Sequence, residues 1–188
     1  MSEDISGIMQ DAESKMAKTI DVTKEEFTTI RTGRANAAMF QNITVEYYGA
    51  PTPLNQLASL QFPEARTVIV TPYDKSATTA VETALRESDL GVNPTNNGDN
   101  LRLVLPALTE ERRRDYVKQA KNKAEDGRIA VRGTRGNAKK AIEKLVKDKE
   151  IGEDEGTRAE KDLEALTKKY IEQIDQALAA KETELATV

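Results

Sequence analysis

The sequence predicts an α+β chain of two domains, an elongated three-helix bundle into which a small β/α/β domain is inserted. Three observations predict it. Apolar residues recur every three or four positions in three long stretches, one at the start and two after residue 106. Between the first and second stretches this period gives way to short β-branched runs separated by turn residues. All six prolines and three of the five tyrosines fall between residues 47 and 106, which marks that segment as a compact insert.

The first helix is read from Ile5, Met9, Ala12, Met16, Thr19 or Ile20, Thr23, Phe27 and Ile30, which share one face at 3.6 residues per turn. No proline interrupts it, and Gly7 is its only glycine. Arg31-Thr32-Gly33-Arg34-Ala35 follows, and beyond it the pattern changes. Ile43 to Tyr48 reads as a strand, closed by Gly49 and a Pro51-Thr52-Pro53 turn. Leu57 to Phe62 and Thr67 to Thr71 read as further strands. Asp74 is placed to cap a short helix through Ser88, with Ala77, Val81 and Leu85 on one face and Gly91 just past its end. Pro94 to Asp99 reads as a turn and Leu101 to Leu105 as a last strand.

Thr109 is the expected N-cap of the second long helix, with Glu110 and Glu111 where the helix dipole favours acids. Val117, Ala120, Ala124, Gly127, Val131, Thr134, Ala138, Ala141 and Leu145 then form a heptad seam of mostly small residues. Gly152 breaks the pattern, Glu153, Asp154 and Glu155 supply a new acidic first turn, and Ala159, Leu163, Leu166, Tyr170, Ile174, Ala177 and Leu185 mark the third helix. At a rise of 1.5 Å per residue each helix spans roughly 40 to 60 Å, so the bundle is expected to be a rod. The expected boundaries are residues 1–30 and 106–188 for the bundle and 31–105 for the insert. The chain crosses between them near 31–34 and 105–107, and two short crossings form a natural hinge. Three complete helices can bury their own seams, so a monomer is expected.

The chain has no Cys and no His. Disulfides, thiol chemistry, imidazole bases and ordinary zinc sites are thereby excluded. Asp154 and Glu155 lie in an acidic stretch without calcium-loop spacing, so no metal or cofactor is expected. Thr28 and Thr29 with Glu25 and Glu26 are the nearest approach to a nucleophile and base, and they read more simply as a solvated helix face. No catalytic residue is expected. The start of the chain lacks the basic and apolar stretches of a signal peptide, and no run of about 18 apolar residues occurs, so a cytoplasmic chain with no membrane partner is expected.

The net charge of −4 conceals an asymmetry. Residues 112–147 carry 13 basic side chains against Asp115, Glu125, Asp126 and Glu143, a net of +9, whereas every other part of the chain is acidic. Lys121, Arg128, Arg132, Arg135 and Lys139 each follow a seam position by one residue, about 100° around the helix, and so form one ridge beside the buried edge. Such a ridge could follow an RNA backbone, with arginines gripping phosphates bidentately. The commoner arrangement is pairing with Glu160, Glu164 and Asp175 of the third helix, since charged helix faces are usually solvated or paired, and charge alone does not decide between the two.

Beyond composition and period, several stretches carry a specific likeness: Ile30-Arg31-Thr32-Gly33-Arg34-Ala35, Glu46-Tyr47-Tyr48-Gly49, Thr52-Pro53-Leu54, Gln56-Leu57-Ala58-Ser59, Ser88-Asp89-Leu90-Gly91-Val92-Asn93-Pro94, Leu105-Pro106 with Leu108-Thr109-Glu110-Glu111-Arg112-Arg113, and Ala130-Val131-Arg132. In their order they resemble the ribosome recycling factor family over nearly the whole chain. The resemblance implies an L-shaped molecule with tRNA-like dimensions, a hinged three-helix bundle and small β/α/β domain, and no enzymatic activity. It implies binding to rRNA of the large ribosomal subunit and action with elongation factor G and GTP, the nucleotide belonging to that partner, since this chain has no P-loop.

By position, Arg128 and Arg132 match the family's RNA-facing arginines, with Arg132 the leading candidate and Arg135, Lys139 and Lys121 along the same ridge. Arg31 and Arg34 match the hinge signature, where they contact RNA or pair with acids to set the elbow. Gly33 serves backbone geometry there, and Leu105 and Pro106 lie on the returning crossing. The absence of a transit segment points to a bacterial member. The chain departs from the family's usual residues at Gly133-Thr134-Arg135-Gly136-Asn137, and with Gly127 this puts three glycines in one helix, each costing on the order of 1 kcal/mol relative to Ala. A softer helix is expected there. A coiled-coil adaptor would explain the bundle and ridge but has no need of a hinged insert.

Overall fold

In chain order, the computed structural model, which describes residues 3–187, runs α1 (Glu3–Thr28), β1 (Thr44–Tyr47), β2 (Ala50–Pro53), the single turn α2 (Leu54–Leu57), β3 (Ala58–Glu64), β4 (Thr67–Pro72), α3 (Thr78–Glu87), β5 (Thr95–Asn96), β6 (Leu101–Val104), α4 (Glu110–Lys147) and α5 (Glu153–Thr187). Short 3-10 turns at Ala37–Phe40 and Lys75–Ala77 complete it. Residues 1–2 and 188, the extremes of the expected bundle, lie outside the described residues. The chain divides into two units, Met1–Thr28 with Val117–Glu182 and Thr29–Tyr116 with Thr183–Val188.

The first unit is the three-helix bundle. Ile5, Ala12, Met16, Ile20 and Phe27 of α1, Ala120, Ala124, Val131 and Ile142 of α4, and Ala159, Leu163, Tyr170 and Ile174 of α5 are buried. The α4 seam departs from the strict heptad: Ile142 is fully buried, while Ala141 and Leu145 are only half-buried. A straight helix drifts about 20° per heptad, which carries Ile142 into the core three turns beyond Val131.

Gly127 is where α4 meets both neighbours. A Cβ there would stand 2.6 Å from Thr23 Oγ1 of α1 and 3.2 Å from Ile174 Cδ1 of α5. Thr23 cannot easily turn aside, because its hydroxyl donates to the Thr19 carbonyl at 2.8 Å. Gly133 and Gly136 meet nothing within 4 Å, and α4 remains one continuous helix through all three glycines. Thr109 caps it as expected, accepting from the Arg112 amide at 3.1 Å.

The second unit carries the small β/α/β domain. Its four-stranded sheet has the order β3-β4-β6-β5 with antiparallel pairing throughout, and β1 and β2 form a separate hairpin. Val45, Leu54, Val68, Val70, Val81, Leu85, Leu101 and Leu103 share one buried core. Two expectations are corrected here. The Pro51-Thr52-Pro53 stretch is strand, not turn: Val45 faces Thr52 and Thr44 faces Pro53 across the hairpin, which two prolines tolerate because they lack amides only on an edge. The turn is Tyr48-Gly49, both left-handed at φ 49° and 77°, as a two-residue hairpin loop requires. The second correction is the Pro94 to Asp99 segment, where Thr95 and Asn96 pair with Arg102 and Leu101.

Asp74 caps the 3-10 turn ahead of α3, accepting from the Ser76 amide at 2.9 Å and the Ser76 hydroxyl at 2.7 Å. Its other oxygen accepts from the Tyr47 hydroxyl at 2.8 Å, which ties the hairpin to the start of the helix. The Ser76 bonds, then the Tyr47 bond, hold the Asp74 carboxyl below its ordinary value. The bond to Asp74, aided by burial, pushes the Tyr47 phenol up to about 12.

Candidate nucleic-acid interface

The ridge residues Lys121, Arg128, Arg132, Arg135 and Lys139 all lie on α4 in the first unit. Their helix forms because α4 contains no proline over 38 residues, is capped at Thr109 and places acids in its first turn and Lys144 and Lys147 in its last. The five are not equivalent. Arg128 keeps only 19% of its side chain exposed and is held by Asp175 of α5, at 2.7 Å, and by Glu125, at 3.0 Å. Burial works against its charge, but the hydrogen bonds to Asp175 and Glu125 outweigh that and raise its pKa. Arg135 reaches Glu164 of α5 at 3.3 Å. For these two residues the pairing with the third helix foreseen from charge is present. Glu160 is in no such pair among the described residues.

Arg132 differs. Its side chain is 49% exposed, and its one ion pair among the described residues is the long 3.7 Å approach to Glu125. Lys121 and Lys139 are exposed and form no ion pair among the described residues. Glu125, which charge counting treats only as a dissenting acid, is thus the shared acceptor of Arg128 one turn on and Arg132 two turns on.

Outward of the ridge, Lys118 and Lys140 project about 40° and 80° from Arg132 at 100° per residue. Both are exposed and neither is paired among the described residues. Between them stand Ile129, 58% exposed, and the open Gly133 and Gly136. The seam-based reading missed this outer strip because it ranked cations by nearness to the buried edge, where α5 carboxylates are within reach. Projection on a helical wheel would have found it.

The hinge candidates belong to the second unit and not to the ridge. Arg31 is half-buried with an unpartnered Nε, and Arg34 is exposed. Neither forms an ion pair among the described residues. Thr32 is buried, its hydroxyl donating to the Arg34 carbonyl at 3.1 Å, and Gly33 beside it is buried too. Leu105 is buried while Pro106 is exposed. The Leu105 amide donates to the Arg66 carbonyl at 2.7 Å, Arg66 Nη1 donates back to the Leu105 carbonyl at 3.2 Å, and the Ala35 amide donates to the Ala65 carbonyl at 2.6 Å. Ala35, just after the first expected crossing, and Leu105, at the start of the second, are therefore both hydrogen-bonded to the turn between β3 and β4.

Among the described residues no cluster of acids could hold a metal, and no helix is long and apolar enough to cross a membrane. What the site offers is a row of cations on one continuous helix, which suits polyanion binding.

Comparison with known proteins identifies the family. The model of the ribosome recycling factor family matches residues 23–185. The ribosome-recycling factor of Cutibacterium acnes is 59% identical over 98% of this chain and 100% of its own length. That of Thermobifida fusca is 60% identical with the same coverage. A solution structure of ribosome recycling factor superposes over the whole of both chains with a TM-score of 0.76 at 40% identity. A second structure, of the Thermus thermophilus factor described with Escherichia coli elongation factor G on the post-termination complex, gives 0.64 at 41% identity and covers 96% of this chain and 98% of its own. With a family model spanning most of its length and relatives of this identity, the chain belongs to the ribosome recycling factor family, non-enzymatic factors of protein biosynthesis.

Proposed function

We propose that this protein binds rRNA of the large ribosomal subunit after termination and, with elongation factor G and GTP, promotes dissociation of the post-termination ribosome so that subunits, mRNA and tRNA are reused. It acts as a cytoplasmic monomer, and the GTP is held by its partner. The observation that carries the reading is the exposed, weakly paired Arg132 within a helix segment of net +9 in an acidic chain. A polyanion releases counterions when it meets such a row, so affinity comes without a deep pocket.

In this reading Arg132, Lys121 and Lys139 make the direct phosphate contacts. Arg128 and Arg135 must first release Asp175 and Glu164, so they contribute less to affinity and more to the geometry of the row. The insert, residues 31–105, pivots on the crossings at 31–34 and 105–107, where Arg31 and Arg34 are available to RNA. A lever needs one fixed arm, and the basic row supplies it.

The test mixes the protein with post-termination ribosomes, elongation factor G and GTP, and follows subunit separation by light scattering. Wild type is expected to split them and Arg132→Ala to do so poorly at equal concentration. Undiminished splitting by Arg132→Ala would remove the proposed anchor.

A further inference from the structure

The second unit contains a cavity of about 450 Å³ that the RNA-binding row does not use. It falls within the range of volumes that accept ligand groups, roughly 300 to 1,000 Å³. It is built on the last turn of α3 and the segment leading into β1. Met39, Ile43 and Leu90 give it a partly buried apolar lining, while Glu87 and Asp89 stand exposed beside it. No basic residue lines it.

Its electrostatics have one sign. Glu87 and Asp89 form no ion pair among the described residues. Arg86, the nearest cation in sequence, is bonded to Glu82 one turn back at 2.9 Å. The cavity also lies at the C-terminal end of α3, where the helix dipole leaves partial negative charge. Ser88 caps only the Leu85 carbonyl there, with its amide at 3.3 Å and its hydroxyl at 2.6 Å.

A mixed lining, with Met39, Ile43 and Leu90 as its apolar part and the unpaired Glu87 and Asp89 beside it, matches a side chain with an aliphatic stem and a cationic head. Phosphate is repelled by the same rim, which separates this surface from the nucleic-acid row on α4. We propose that this cavity is a docking site for an arginine on an extended segment of a protein partner. The stem lies on Met39, Ile43 and Leu90, and the planar guanidinium bridges Glu87 and Asp89, a geometry lysine cannot copy.

The test is an NMR titration of the full-length ¹⁵N-labelled chain with the peptide acetyl-Ala-Arg-Leu-amide. Saturable shifts are expected at residues 39–44 and 84–90. They should require about fivefold more of the citrulline peptide, which keeps the shape and loses the charge, a ratio fitting exposed ion pairs. The doubly substituted Glu87→Gln, Asp89→Asn chain should show the same loss with the arginine peptide. Equal response to citrulline, shifts spread evenly over the acidic residues of α5, or none at millimolar peptide would each overturn the proposal. So would a decamer RNA that shifts the same residues.

Discussion

Arg128 grips a single oxygen of Asp175 with two of its nitrogens, Nε at 2.8 Å and Nη2 at 2.7 Å, across 47 residues of sequence. Its third nitrogen goes to Glu125. Each of its three nitrogens is thus engaged by a carboxylate of the protein, whereas Arg132, four residues later, is half in solvent. The two arginines should therefore fail differently. Arg128→Ala is expected to lower stability by about 1 kcal/mol, the scale of a partly screened charged hydrogen-bond pair. Arg132→Ala should stay within about 0.5 kcal/mol of wild type, as exposed substitutions do. Urea unfolding reads the stability, and large-subunit binding should rank the pair in reverse order.

The three glycines of α4 should separate in the same kind of measurement. Gly127→Ala drives a methyl against Thr23 and Ile174 and is expected to destabilise by about 1 to 3 kcal/mol. Gly133→Ala meets open space and should stabilise by up to about 1 kcal/mol through helix propensity. A Gly127→Ala protein as stable as wild type would mean the α1 and α4 backbones are free to part.

Tyr47 and Asp74 give a pH signature with opposite ends. The Tyr47 phenol is raised, so the stability it contributes is full below about 10 and is lost as pH climbs toward about 12. The Asp74 carboxyl is lowered, so its contribution is full above the ordinary value of 3.8 and is lost as pH falls below it. Ultraviolet titration should show a tyrosinate step near pH 12 that disappears in Tyr47→Phe.

Salt should act on the α4 row in proportion to the phosphates it neutralises. A plot of log affinity for large subunits against log salt should be linear, and Lys121→Ala or Lys139→Ala should each shallow the slope by about one unit. Unchanged slopes would move the contact to the outer strip of Lys118 and Lys140.

Much of this was legible in the sequence because it is local. The Thr109 cap, the acidic first turn at Glu153 to Glu155 and the periods of Ile5 to Ile30 depend on neighbours within a few residues. What was not legible depends on distant partners. Pro51 and Pro53 read as turn residues until β1 is seen beside them, since only an edge position lets a proline pair into a strand. Thr95 and Asn96 are too short a run to carry a period. Gly127 looked like a weak point shared with Gly133 and Gly136, and its reason appears only once Thr23 is placed against it. That five cations share one helix was legible, but which of them α5 had already claimed required the pairing of 128 with 175 and 135 with 164.

The strand arrangement also bears on how the protein behaves at high concentration. The four-stranded sheet ends on β3 and β5. β3 is broken by an irregularity between Gln61 and Glu64 and carries Pro63, and β5 is two residues long. On the separate hairpin, β2 holds two prolines. None of these three edges therefore offers a long flat row of free amides to a second chain, and the β1 edge of the hairpin is only four residues long, so edge-to-edge aggregation of the small domain is discouraged by its own outline.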